Sequence, residues 1–195
     1  MNLWIRILAY GKVSDIMKEQ LKKMIIENID KWTDTDIYVV SLYVYDDCDN
    51  PSKPTVRLGY NTESQVGNEC GYADDEGEAR WNYAFWLQNE FFCFGTGETA
   101  EVVRKWVTGR GFTVCDDDNE AWKMDEPEEI TEAFVRVLID IVKEIHEEKI
   151  LTAKFGKELP ILIHELEYYE EIVRQNIEAN GEELVKDFAD WCMNF

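Results

Sequence analysis

Positive charge is what this chain has least of. Its 195 residues carry 20 Lys and Arg against 41 Asp and Glu, a formal net charge of −21 at pH 7. A surface of that sign is repelled by nucleic-acid phosphates and by anionic bilayers, which argues against both as partners. Histidine occurs only as His146 and His164, and neither opens an H-E-x-x-H run, so the zincin arrangement is ruled out. The five cysteines (48, 70, 93, 115 and 192) form an odd set without a C-x-x-C pair. That argues against a disulfide framework or a zinc knuckle and for reduced thiols in a cytoplasmic protein. There is no G-x-S-x-G, no P-loop and no Cys-His-Asn order, so no nucleophile is legible. No apolar run approaches the ~18 residues of a membrane span. The first ten residues, interrupted by Arg6 and without a small-residue cleavage site, do not read as a signal peptide. With no internal repeat and no linker, residues 1–195 read as a single α+β domain. Its expected architecture is an antiparallel or mixed sheet packed with helices, the C-terminal half being helical.

Aromatic residues are what the chain has in one place. Ala79 to Phe94 holds Trp81, Tyr83, Phe85, Trp86, Phe91, Phe92 and Phe94. Each such ring buries ~150–250 Å² in a core, so this stretch is expected to be structural. Asn82 is a candidate N-cap for a short helix over 83–89, with Trp81 packing back onto Trp86. Residues 3–10 fit a helix or a strand. Ser14 reads as the N-cap of a helix reaching Trp32, with Met17, Leu21, Met24, Ile25 and Ile29 on one face and several lysines on the others. Asp36 to Asp46 alternates with both faces apolar, a central strand, and Thr55 to Tyr60 reads as its antiparallel partner. Residues 61–78 read as a long surface loop.

A helix over 99–109 and a strand over 112–115 come next. Pro127 suits the first position of the strongest helix, whose stripe includes Ile130, Phe134, Leu138, Ile141 and Ile145. A short strand over 161–163, a helix over 168–180 closed by Gly181, and a last helix over 183–192 complete the chain.

Two features could carry function. Gly95-Thr96-Gly97-Glu98-Thr99-Ala100, with Asp116 about twenty residues on, outlines a dinucleotide fingerprint. Glu98, however, would set a carboxylate beside the pyrophosphate, and a glycine turn opening a helix explains the same residues. The acidic clusters are the other feature: Asp46, Asp47 and Asp49; Asp74, Asp75 and Glu76; Asp116, Asp117, Asp118 and Glu120. None has calcium-loop spacing, so no metal is assigned, and no cofactor is assigned either.

The strand that ends in an acidic turn (Ile37 to Asp49), the Gly59 to Glu63 run, the Glu78 to Trp86 run and Leu159 to His164 resemble an uncharacterised bacterial family, domain of unknown function 4303. The resemblance implies structural roles for Arg80, Trp81 and Trp86 and transfers no activity. Its members look like the small acidic proteins found as immunity partners of bacterial toxins. The leading expectation is thus a non-catalytic cytoplasmic protein that neutralises a basic, nuclease-type toxin domain with the ten clustered acids as contacts. Toxins that grip phosphate are basic, and an acidic inhibitor covers the same surface. The alternatives are a nucleotide-binding enzyme using Gly95 to Ala100, and a housekeeping protein whose acidity serves solubility.

Overall fold

A ten-residue strand, β1 (Ile37–Asp46), runs through the middle of the molecule with a strand on either side. The computed structural model describes residues 3–124 and 128–193, with side chains from residue 14 onward; the expectation at Pro127 lies outside the described residues. β2 (Pro54–Thr62) returns antiparallel to β1, pairing Leu42 with Leu58, and β3 (Phe92–Phe94) lies antiparallel on β2. β4 (Ile161–His164) lies parallel to β1 along Val40–Tyr43. The order β3-β2-β1-β4 makes a mixed sheet in an α+β fold, with β1 central as its two apolar faces require.

One face takes Val40, Leu42 and Val44 of β1 with Val56, Leu58, Ile161 and Ile163. It packs on α1 (Leu3–Ile29), α4 (Ala100–Gly109), α5 (Glu128–Glu147) and α6 (Ile150–Phe155). Lys18 and Lys22 of α1 reach Glu144 of α5 at 2.5 and 2.8 Å, which fixes the register of the two long helices. The other face takes Tyr38, Val39 and Leu162. It packs on α2 (Glu63–Glu69), α3 (Glu76–Trp81), α7 (Glu170–Asn180) and α8 (Lys186–Met193). Trp81 sets its edge on Tyr38 and Phe188, and Trp86 donates from Nε1 to the Arg80 carbonyl at 2.8 Å. Both tryptophans are buried.

Four local expectations are corrected. The first helix is continuous through Ser14, which is interior to α1 and caps nothing. Residues 61–78 form α2 and α3 instead of a loop: the Thr62 hydroxyl accepts from Gln65 N at 3.2 Å, and the Asp75 carboxylate accepts from Glu78 N at 2.8 Å. These are N-caps hidden among glycines. Asn82 does cap, accepting from Ala84 N at 3.0 Å, but only a 3-10 turn over Tyr83–Phe85 follows. Residues 112–115 are irregular, and α6 was not anticipated.

Candidate acidic groove beside the end of the central strand

β1 outruns β4. Beyond Tyr43 the central strand continues through Val44, Tyr45 and Asp46 with β2 on one side and, among the described residues, no strand on the other. A groove of about 890 Å³ opens there, with the first half of α5 as one wall and α7 with its leading turn as the other. Among the described residues six carboxylates line it (Asp46, Glu128, Glu132, Glu165, Glu171 and Glu178) against two arginines. Arg136 is paired with Glu178, and Arg174 with Glu170. Asp46, Glu132 and Glu165 have no cation within 4 Å among the described residues. Burial and then the nearby Glu165 charge push the Asp46 carboxyl above its usual range, and a long 3.5 Å hydrogen bond from Thr131 opposes them. Tyr169 donates to Glu165 Oε1 at 3.0 Å, and the other oxygen has no hydrogen-bond partner among the described residues. Leu166 and Tyr169 expose apolar surface at the mouth.

The structure gathers two of the three predicted acidic clusters. Asn50 is buried and donates to the Cys115 carbonyl at 2.9 Å and to Asp118 Oδ1 at 2.7 Å. This fastens the 3-10 turn Asp47–Asp49 to the turn that opens at Asp116. The joined loops are less anionic than their sequence suggests. Asp116 pairs with Arg104 and Asp118 with Lys53, each at 2.6 Å, and Glu120 pairs with Lys123 at 2.7 Å. The Arg104 hydrogen bond holds Asp116 below the usual carboxylate range; Asn50, then Lys53, does the same for Asp118. Asp117 accepts from Asn119 N at 3.0 Å as a cap. Asp47 and Asp49 are in no ion pair among the described residues. Asp74, Asp75 and Glu76 sit elsewhere, at the start of α3 where Gly77 meets Trp191 of α8. Arg80 grips Glu63 through both guanidinium arms at 3.0 and 2.6 Å and lies over Tyr38.

Glu132, Glu165 and Tyr169 went unread in the sequence. Only the short strand before Glu165 was legible; that this strand lies parallel to β1, so that Glu165 falls at a carboxyl end where open sheets bind ligands, is a tertiary fact.

Three further arrangements bear on chemistry. Ser41 Oγ lies 2.8 Å from His164 Nε2, while Nδ1 faces the Glu165 carbonyl at 3.0 Å. That carbonyl fixes the proton on Nδ1, so Nε2 accepts from the serine. Both residues are buried under the rings of Tyr43, Tyr83, Trp86 and Tyr168, and the groove does not reach them. Burial lowers the His164 pKa to about 4. The Gly95 turn differs from a dinucleotide fingerprint. Its strand is a short antiparallel edge, the Thr99 hydroxyl already accepts from Gly95 N at 2.8 Å, and Asp116 faces Arg104. Among the described residues no group of three or more His, Cys, Asp or Glu is placed to hold a metal, and no helix is long and apolar enough to cross a membrane. No family model, curated protein or solved structure matches the chain.

Proposed function

We propose that the chain is a cytoplasmic binding protein that neutralises a basic protein partner, most concretely a nuclease-type toxin domain. The observation that carries this reading is the placing of Asp46. It ends the central strand where the Asn50-fastened loops meet a groove whose carboxylates Asp46, Glu132 and Glu165 lack cations among the described residues. Unpaired, partly desolvated carboxylates cost folding free energy, and a cationic partner removes that cost on binding. The resemblance noted at Gly59 to Glu63 and Glu78 to Trp86 belongs to the proposal and brings no activity with it.

The test is inhibition. A panel of basic nuclease-type toxin domains is assayed with and without micromolar chain, and any member inhibited is taken to stopped-flow association. Steered association reaches about 10⁸–10⁹ M⁻¹s⁻¹ at low salt. Reversal of Asp46, Asp47 and Asp49 to lysine should slow it at least about tenfold and flatten its salt dependence. A panel with no inhibited member, or an on-rate indifferent to the triple reversal, overturns the reading.

A further inference from the structure

We propose that the groove between α5 and α7 receives an arginine side chain of the partner, its guanidinium between Asp46 and Glu165 and its plane against Tyr169. This deepens the reading above and rests on it. The slot exists because β4 stops at His164 while β1 goes on to Asp46, leaving the end of the sheet layer open on that side. Two carboxylates face the opening. Among the described residues the Asp46 carboxylate is held by just the 3.5 Å contact with Thr131, and Glu165 is oriented by the Tyr169 hydroxyl at 3.0 Å. Both carboxylates line the same groove, and after burial the Glu165 charge is the next influence raising the Asp46 carboxyl. A single cation between them relieves both.

Arginine suits this better than lysine. A guanidinium spans two carboxylates with separate N–H arms and stacks flat on an aromatic ring, whereas an ammonium is a compact and strongly hydrated point charge. The chain already builds such a seat for one of its own arginines. Arg80 sits bidentate on Glu63 at 3.0 and 2.6 Å with its guanidinium carbon 4.7 Å from the Tyr38 ring centre. The groove supplies the same kinds of group: two carboxylates, Glu165 and Asp46, in the part of Glu63, and Tyr169, 46% exposed, in the part of Tyr38. Leu166, 66% exposed, and Val135 offer apolar surface to the arginine stem. The groove's own arginines do not fill the seat, since Arg136 and Arg174 are held by Glu178 and Glu170.

The test measures binding of hexa-arginine and hexa-lysine peptides to the full chain by calorimetry at low salt. Hexa-arginine should bind about tenfold tighter, the scale of one cation–π contact together with a forked ion pair. Asp46→Asn with Glu165→Gln should abolish the preference, and Glu165→Gln alone should reduce it. Asp74→Asn with Glu76→Gln, on the remote acidic turn, should leave it intact, and thermal melts confirm that each variant folds. Equal affinity for the two peptides, or equal loss in the remote variant, overturns the arginine seat and leaves the acidic-face reading standing. Binding of neither peptide overturns both.

Discussion

Asn176 and Asn180, one turn apart on α7, pair with Ile163 and Ile161, two residues apart on β4. Asn176 accepts from Ile163 N at 2.8 Å and donates to its carbonyl at 2.7 Å; Asn180 does the same to Ile161 at 2.8 and 2.9 Å. Four helical residues rise about 6 Å and two strand residues about 6.6 Å, so the side chains keep step with the strand. The outer edge of β4 is thereby closed as a fifth strand would close it. Replacing the buried Asn176 by alanine strands a backbone N–H and C=O away from water, at about 1–3 kcal/mol for each group. A loss of about 2–4 kcal/mol in urea unfolding is expected, together with concentration-dependent association through the freed edge. A loss under about 1 kcal/mol would show that water replaces the clamp.

His164 sets an acid limit on the fold. Its imidazole is packed by Tyr43, Tyr83, Trp86 and Tyr168, bonded to Ser41 and the Glu165 carbonyl, and burial holds its pKa at about 4, below the ordinary 6.5 of a histidine. The folded pKa lies below the unfolded one, so the unfolded chain binds the proton first as pH falls. Stability present above pH 6.5 is lost between there and about pH 4, by roughly 3 kcal/mol. His164→Gln should cost stability at pH 8 and lose less on acidification, so the two unfolding curves converge toward pH 4. Curves that stay parallel between pH 8 and 4 would refute the assignment.

Asp46 carries the opposite sign. Burial and the Glu165 charge raise its folded pKa above the unfolded value, so the stability it contributes is present at low pH and lost as pH rises through the folded pKa. At neutral pH the ionised carboxylate burdens the fold. Asp46→Asn should therefore raise the melting temperature at pH 7 and leave it nearly unchanged at pH 3.5. Stability given up by a residue at a groove is the usual mark of a position kept for binding. A lower melting temperature at pH 7 would mean that the Thr131 contact outweighs the burden.

What could be read from the sequence followed the strength of its periodicity. β1 alternates with both faces apolar, and Ile130, Phe134, Leu138, Ile141 and Ile145 mark α5 without ambiguity; all five are buried. α2 and α3 left a thinner trace, since only Val66, Ala79 and Trp81 are buried along them and glycines intervene. The site divides the same way. Asp46 stood out in an acidic run, whereas Glu165 joins it only because β4 returns parallel to β1 from more than a hundred residues away. Nor could composition show that Asp116 and Asp118 are answered by Arg104 and Lys53, since both pairings are tertiary.

The two glycines of the Gly95 turn separate a backbone requirement from a ligand requirement. Gly95 has φ +108°, and a Cβ there would lie 2.6 Å from the Pro54 carbonyl oxygen and 3.0 Å from Thr55 Cγ2. Gly97 has φ +52° with open space where a Cβ would go. Gly95→Ala meets both strain and a clash with backbone, so a loss of about 2–4 kcal/mol in urea unfolding is expected. Gly97→Ala meets only the left-handed conformation and should cost about 1 kcal/mol. In a phosphate cradle the first glycine makes the tight turn and the second stays bare so that the anion can approach the backbone, so Gly97 is the position that tells a cradle from a plain turn. The geometry requires only the first, for the turn. Melting temperatures measured with millimolar nucleotides should therefore be the same for the wild-type chain and Gly97→Ala, each matching its own ligand-free value. A nucleotide that stabilised the wild type and lost its effect in Gly97→Ala would restore the cradle and displace the acidic groove as the site of function.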